Sequence, residues 1–427
     1  MIERLEGHRL VGQALGLRRP RRPPFSSALL LLCGLLAAAD TFDQVEARGK
    51  ALKAQGDAIG ALAAYQEAAT MRPRDARLRD EVGFLLAVLQ RNPEAIASFE
   101  EALRLDPRFA PAHYHLGVAH CIVKDLDRCI PELRTAVELA PSVYDYRLRL
   151  GSALNDLGQF AEALPHLRAA TVAQAGDSAG WYQLGVALQK TGELLQAEKA
   201  YRRALELAPG DTGARNGLGL VLVNTRRPEL GIEQFERILK NEPDNLTAKL
   251  NIGFAYLQKS DLERAIPQLR EVVAADPSMA SAHYDLGVAL KQKDALDEAA
   301  AELKKAVELD PSLAEAHYTL GIIHWQSGEF DPAAAEMRQA IALRPDYGEA
   351  YFMLGTALKQ RGDLDGAEKA LKEAIRLTPA NPGPYNTLGQ VLRQKGDGQG
   401  SKAAFAEGAR VKRQAEAGQA EMLNKKR

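Results

Sequence analysis

The sequence predicts an all-α fold built from repeated antiparallel helix pairs. A glycine returns every 34 residues, at Gly49, Gly83, Gly117, Gly151, Gly185, Gly219, Gly253, Gly287, Gly321, Gly355 and Gly389. A small residue follows each glycine at a constant interval, from Ala61 and Ala95 through Cys129 and Gly231 to Ser401. A proline stands at one fixed place in nine of the eleven frames, from Pro73 to Pro379. Numbered so that the glycine is position eight, repeat one begins at Phe42, and eleven repeats run in phase from Phe42 to about Arg413 without insertion or deletion.

Before the repeats, residues 1–39 read as a signal peptide. Arg18-Arg19-Pro20-Arg21-Arg22 precedes an apolar run from Ala28 to Ala39, too short to span a bilayer and ending in Ala37-Ala38-Ala39. Cleavage before Asp40 predicts an exported protein, periplasmic or secreted, with no membrane span. The alternative is tethering by an uncleaved signal. The stretch ahead of the arginines is long for a signal, which leaves translation starts at Val11 or Leu17 open.

Within each frame, positions 4, 7, 8 and 11 share one face of a first helix, as His283, Leu286, Gly287 and Leu290 do. Positions 20, 24, 27 and 28 share one face of a second, as Ala197, Tyr201, Ala204 and Leu205 do. A glycine within a helix costs about 1 kcal/mol against alanine, so its return in every repeat implies close approach of two backbones. The turn often reads Gly-Asp or Gly-Glu, as at Gly56-Asp57 and Gly192-Glu193, which suits a helix end followed by a helix start. Proline at position 32 stops the second helix. Pro131, Pro165 and Pro267 are expected near the first turn of a second helix, where a missing N–H costs little. Residues 401–424 contain no proline and are expected to continue as a helix, so 414–427 form a capping helix and basic tail.

Composition excludes several classes. The apolar fraction is 46% and the charged fraction 26%, which rules out a disordered chain. The net charge of −1 gives no footprint for nucleic acid. Nucleotide-binding, metalloprotease, serine-hydrolase and C-x-x-C motifs are all missing, so the chain is read as no enzyme, with no cofactor and no metal. His113 with His120, and His317 with His324, occupy positions 4 and 11 and read as packing residues. Cys121 and Cys129 stand equidistant from the turn of repeat three and are either a disulfide or two buried thiols.

Trp181-x2-Leu184-Gly185-x2-Leu188 and Ala95-x3-Phe99, in phase with the prolines, resemble the tetratricopeptide repeat. The resemblance covers 372 of 427 residues. It implies a right-handed superhelical solenoid in which first helices line a concave groove and second helices form the outside. Eleven repeats would exceed one superhelical turn, and the atypical first and last repeats would act as caps.

On that implied arrangement, positions 5, 9, 12 and 13 face the groove. In repeats seven to ten they include Leu250, Phe254, Leu257, Tyr284, Val288, Tyr318, Ile322, Trp325 and Phe352. Position 13 is Gln258, Gln292, Gln326, Gln360 and Gln394 in five successive repeats. Aromatic side chains would supply pockets, and the amides would hold an extended peptide backbone. The lysine and asparagine that clamp chaperone-tail carboxylates in some family members are absent from positions 5 and 9, which disfavours that activity. The expected function is an exported, non-catalytic scaffold for protein or peptide partners. The alternative is a structural component of an envelope assembly, acting by stacking or oligomerisation; the oligomeric state stays open.

Overall fold

The computed structural model describes residues 40–424; the signal segment expected at residues 1–39 lies outside the described residues. Among the described residues are 22 α-helices and no strand. The chain divides between Val221 and Leu222 into two compact units. Unit 1 contains α1 (Phe42–Gln55), α2 (Ala58–Met71), α3 (Ala76–Val88), α4 (Asn92–Leu105), α5 (Ala110–Ile122), α6 (Leu126–Leu139), α7 (Tyr144–Asp156), α8 (Phe160–Ala173), α9 (Ser178–Lys190) and α10 (Leu194–Leu207). The boundary falls within α11 (Thr212–Asn224). Unit 2 contains α12 (Pro228–Asn241), α13 (Leu246–Gln258), α14 (Leu262–Ala275), α15 (Ala280–Gln292), α16 (Leu296–Leu309), α17 (Ala314–Gln326), α18 (Phe330–Leu343), α19 (Gly348–Gln360), α20 (Leu364–Leu377), α21 (Pro382–Gln394) and α22 (Gly398–Asn424). Odd-numbered helices are the first helices of the repeats and even-numbered ones the second.

The glycine period is explained by what sits above it. A Cβ added to Gly287 would stand 2.7 Å from Cγ of Leu303, a fully buried side chain of the second helix. That distance is below any real carbon contact, so even alanine would push the pair apart. The small residue at position 20 works from the other side: Ala299 is fully buried, and its carbonyl oxygen would lie 3.3 Å from the same added atom. Each buried leucine of this kind contributes about 2 kcal/mol of hydrophobic free energy. These contacts are made within a hairpin and with its neighbours, so each unit carries a ribbon of core rather than a single centre.

Position 15 is left-handed in all eleven turns, with φ between 57° and 84°. Glycine takes this conformation freely at six of them, whereas Gln90, Lys124, Arg226, Ser260 and Asp294 adopt it against the steric preference of an L-residue. At Gln90 the backbone closes a Schellman motif: Gln90 N–H donates to the Ala87 carbonyl and Arg91 N–H to that of Leu86, both at 2.9 Å. The acid that follows caps the next helix. The Asp57 carboxylate accepts from Gly60 N–H and that of Asp363 from Gly366 N–H, both at 2.9 Å.

Two sequence expectations change. Pro131, Pro165 and Pro267 lie inside α6, α8 and α14, a turn deeper than expected. The carbonyls they leave unbonded belong to Asp127, Ala161 and Glu263, all exposed, where water replaces the lost partner. The open question at repeat three is resolved: Cys121 of α5 and Cys129 of α6 form a disulfide, with Cα atoms 5.2 Å apart. The helix expected over 401–424 is present as α22.

Candidate functional site

In each unit, successive first helices touch one another directly, α3 to α5 to α7 to α9 in unit 1 and α13 to α15 to α17 to α19 to α21 in unit 2. The second helices pack mainly on the first helices before and after them. The first helices therefore form one crowded row, and their remaining face is the inner face of each unit.

The residues expected to bind a ligand all lie on this row in unit 2. Phe254 on α13, Tyr284 on α15, Tyr318, Ile322 and Trp325 on α17, and Phe352 on α19 are half-buried. Part of each aromatic is used in packing. Tyr318 packs at a tilt against Tyr347 at the end of its own repeat, ring centroids 4.9 Å apart, and the Phe352 ring closes over Gly383 at the start of α21. Trp325 packs against the core of repeats nine and ten, yet its indole N–H is buried without a hydrogen-bond partner. An unpaired buried donor costs about 1–3 kcal/mol, and this one is carried by an atom closed off from solvent. Gln258, Gln292, Gln326 and Gln360 are the last residues of α13, α15, α17 and α19, and all four are exposed. They form the edge of the face rather than its floor, with amides open to a ligand backbone.

A second polar position was not foreseen. Position 6 of a first helix turns toward positions 5 and 12 of the preceding repeat. Lys53 donates to Glu81 at 2.6 Å, Asn155 to Gln183 at 2.9 Å, and His115 bonds Asp80 at 2.8 Å. In unit 2 the Tyr284 hydroxyl hydrogen-bonds with Thr319 in the same relation. Asp285 occupies position 6 of repeat eight, where positions 5 and 12 of repeat seven are Leu250 and Leu257, only 6% and 4% exposed. Its carboxyl is pushed up to about 7 by removal from water, with no cation to counter it. Near Tyr284, Arg344 lies over the Tyr347 ring at 3.5 Å and pairs with Glu315 at 2.6 Å. Loss of water also raises the Tyr284, Tyr318 and Tyr347 hydroxyls, so all three stay protonated donors at neutral pH.

The inner face of unit 1 has a different character. Tyr114 stacks on Tyr146 with centroids 4.7 Å apart, His115 lies against Phe84, and the Lys53 ammonium sits 4.2 Å from the Phe84 ring centre. Sequence reasoning passed over this cluster. Its signal was present in the alternation of Asp80, Phe84, Tyr114 and His115 at positions 5, 9, 5 and 6.

The histidines at position 4 are tied into their hairpins: His113 to Glu132 and His283 to Glu302 at 2.6 Å, and His317 to Glu336 at 2.7 Å. His324 bonds Glu329, and buried His120 lies 3.9 Å from Asp125. These are packing roles. Among the described residues no group of three or more histidine, cysteine or carboxylate side chains could hold a metal, and no helix is long and apolar enough to cross a membrane.

No curated protein is significantly similar to the chain in sequence. Among solved structures, a tetratricopeptide repeat protein from Parabacteroides merdae is 15% identical over 58% of this chain and 98% of its own, with a TM-score of 0.53, a likeness of fold. MamA is 28% identical over 39% of this chain and 97% of its own, with a TM-score of 0.38. YrrB, described as a TPR protein with an unusual peptide-binding site, is 24% identical over 43% of this chain and 95% of its own, with a TM-score of 0.41. One model of the tetratricopeptide repeat matches residues 123–179, 216–268, 250–314 and 318–382, more than half of the chain. Two others match residues 178–211 and 83–121. With this coverage and helix pairs in register throughout, the chain belongs to the tetratricopeptide repeat family.

Proposed function

We propose that this protein is a non-catalytic scaffold that holds an extended segment of a partner protein along the first helices of repeats seven to ten. Tetratricopeptide repeats support protein–protein interaction as the general role. The finer reading rests on one observation: the inner face of unit 2 combines half-buried aromatic rings with a row of exposed glutamine amides that have no protein partner. Such a face is incompletely satisfied, and an extended peptide supplies both apolar side chains and backbone hydrogen bonds. The experiment is photo-crosslinking from position 322 in the native cell, followed by mass spectrometry and affinity measurement. A captured partner should bind the Trp325→Ala and Tyr318→Ala variants more weakly. Unchanged affinity for both would move the site to another surface.

We also propose that the protein is exported, periplasmic or secreted. The basic run, the short apolar core and the alanines before Asp40 support this, and the Cys121–Cys129 disulfide suits an oxidising compartment. Sequencing the mature amino terminus should return Asp40-Thr41-Phe42; a full-length chain retained in the cytoplasm would contradict export.

A further inference from the structure

Asp285 departs from a pairing that four other repeats keep. Where position 6 carries Glu81, His115, Gln183 or Thr319, the preceding repeat supplies a polar partner from position 5 or 12. At Asp285 those two places hold the buried leucines Leu250 and Leu257. The cations around it are engaged elsewhere. Lys249 pairs with Glu271, Lys259 with Glu229 and Lys293 with Glu263, while Arg344 pairs with Glu315. Lys291, on the same helix, stands at position 12 and turns toward repeat nine. Tyr284 and Gln292, one and seven residues away on α15, belong to the face already described, and a seven-residue interval keeps Gln292 on the side of Asp285. An acid held half-buried without a partner costs stability at neutral pH unless a positive group comes to it.

We propose that Asp285 makes this face selective for a peptide segment that carries a lysine or arginine side chain, which it receives as an ion pair. The inference rests on the peptide-binding reading above and names the chemistry of its ligand. The neighbouring edge already accepts a guanidinium: Arg344 lies on the ring of Tyr347 with the Glu315 carboxylate beside it. A ligand cation at Asp285 would find the same combination, a tyrosine ring at Tyr284 and a carboxylate. Apolar residues flanking that cation would meet Phe254 and Ile322.

The test uses the full chain and fluorescein-labelled dodecapeptide libraries of leucine, valine and serine that differ only at a central residue: arginine, its neutral isostere citrulline, or glutamate. The arginine library should bind about tenfold more tightly than the citrulline library, and the glutamate library should bind more weakly still. Asp285→Asn, which keeps the shape of the side chain, should reduce the arginine preference to less than about twofold. It should change the citrulline affinity far less than the arginine affinity, whereas Trp325→Ala should weaken all three libraries. Arginine preference that survives Asp285→Asn overturns the proposal. Equal binding of arginine and citrulline, still weakened by Trp325→Ala, also overturns it and leaves the peptide-binding face standing. No binding by any library removes that face and the proposal together.

Discussion

The inner faces of the two units are built on the same helix frame and finish it in opposite ways. In unit 1 the polar groups answer one another from repeat to repeat. Lys53 meets Glu81 and covers Phe84, Asp80 meets His115, and Asn155 meets Gln183. Tyr114 and Tyr146 use their rings on each other. In unit 2, between repeats seven and ten, the comparable positions carry leucines, half-buried aromatics, an indole N–H without a partner and Asp285 without a cation. Pairs between these repeats are fewer: Tyr284 meets Thr319, and at the far end Lys359 donates to Gln390 at 2.6 Å. A group already paired gains little from a ligand, because a new contact first breaks an old one. On the proposed reading the ligand binds unit 2, although unit 1 is also rich in aromatic rings and holds buried polar atoms without partners, Asn155 Oδ1 among them.

The comparison can be broken most severely through the frame that both units share. Gly287→Leu should destabilise repeat eight by about 3 kcal/mol, because its side chain would enter the space of Leu303. Hydrogen exchange should loosen α13 to α18 and leave unit 1 as it was. Loosening throughout both units would show that the faces are not independent. The next effect concerns the ligand. Trp325→Ala should weaken peptide binding by about 2 kcal/mol, roughly thirtyfold, with circular dichroism checking that the fold persists. Tyr114→Ala, its counterpart in unit 1, should leave binding unchanged.

A pH-dependent effect sharpens the role of Asp285. Its folded carboxyl, pushed up to about 7, lies above the ordinary carboxylate value, so the folded chain holds a proton that the unfolded chain releases earlier. Stability should therefore fall as pH rises from 4 through 7. Asp285→Asn should escape that loss, matching the parent at pH 4 and exceeding it by a few kcal/mol (about 2–4) at pH 8 in denaturant unfolding. An equal gap at both pH values would show that Asp285 is not held away from water. The smallest effect lies away from both faces. Gln90→Gly should relieve the left-handed turn after α3 and stabilise unit 1 by about 1 kcal/mol without altering peptide affinity.

The fold was legible because its signals are local and repeated. Gly287, Ala299 and Pro311 lie within one frame, and the same three places speak in most of the eleven repeats. The half-burial of Tyr284, Tyr318 and Phe352 followed from the same frame, as did the exposed glutamines at the ends of the first helices. Asp285 was not legible, because its surroundings come from the preceding repeat, and helix spacing says nothing of contacts between repeats. The disulfide was undecided for a related reason: Cys121 and Cys129 are near in sequence, yet their pairing depends on how the two helices of the hairpin rotate about their axes. Pro131 was misplaced because a proline tolerated at a helix start reads the same as one whose freed carbonyl meets water.

The contrast between the two inner faces can be measured directly by hydrogen exchange of the full chain with and without a saturating peptide from the arginine library. Protection should appear along α13, α15, α17 and α19, strongest around Trp325 and Asp285, with α3, α5 and α7 unchanged. Protection confined to unit 1, or to the second helices, would contradict the assignment of ligand binding to the unpaired face of unit 2.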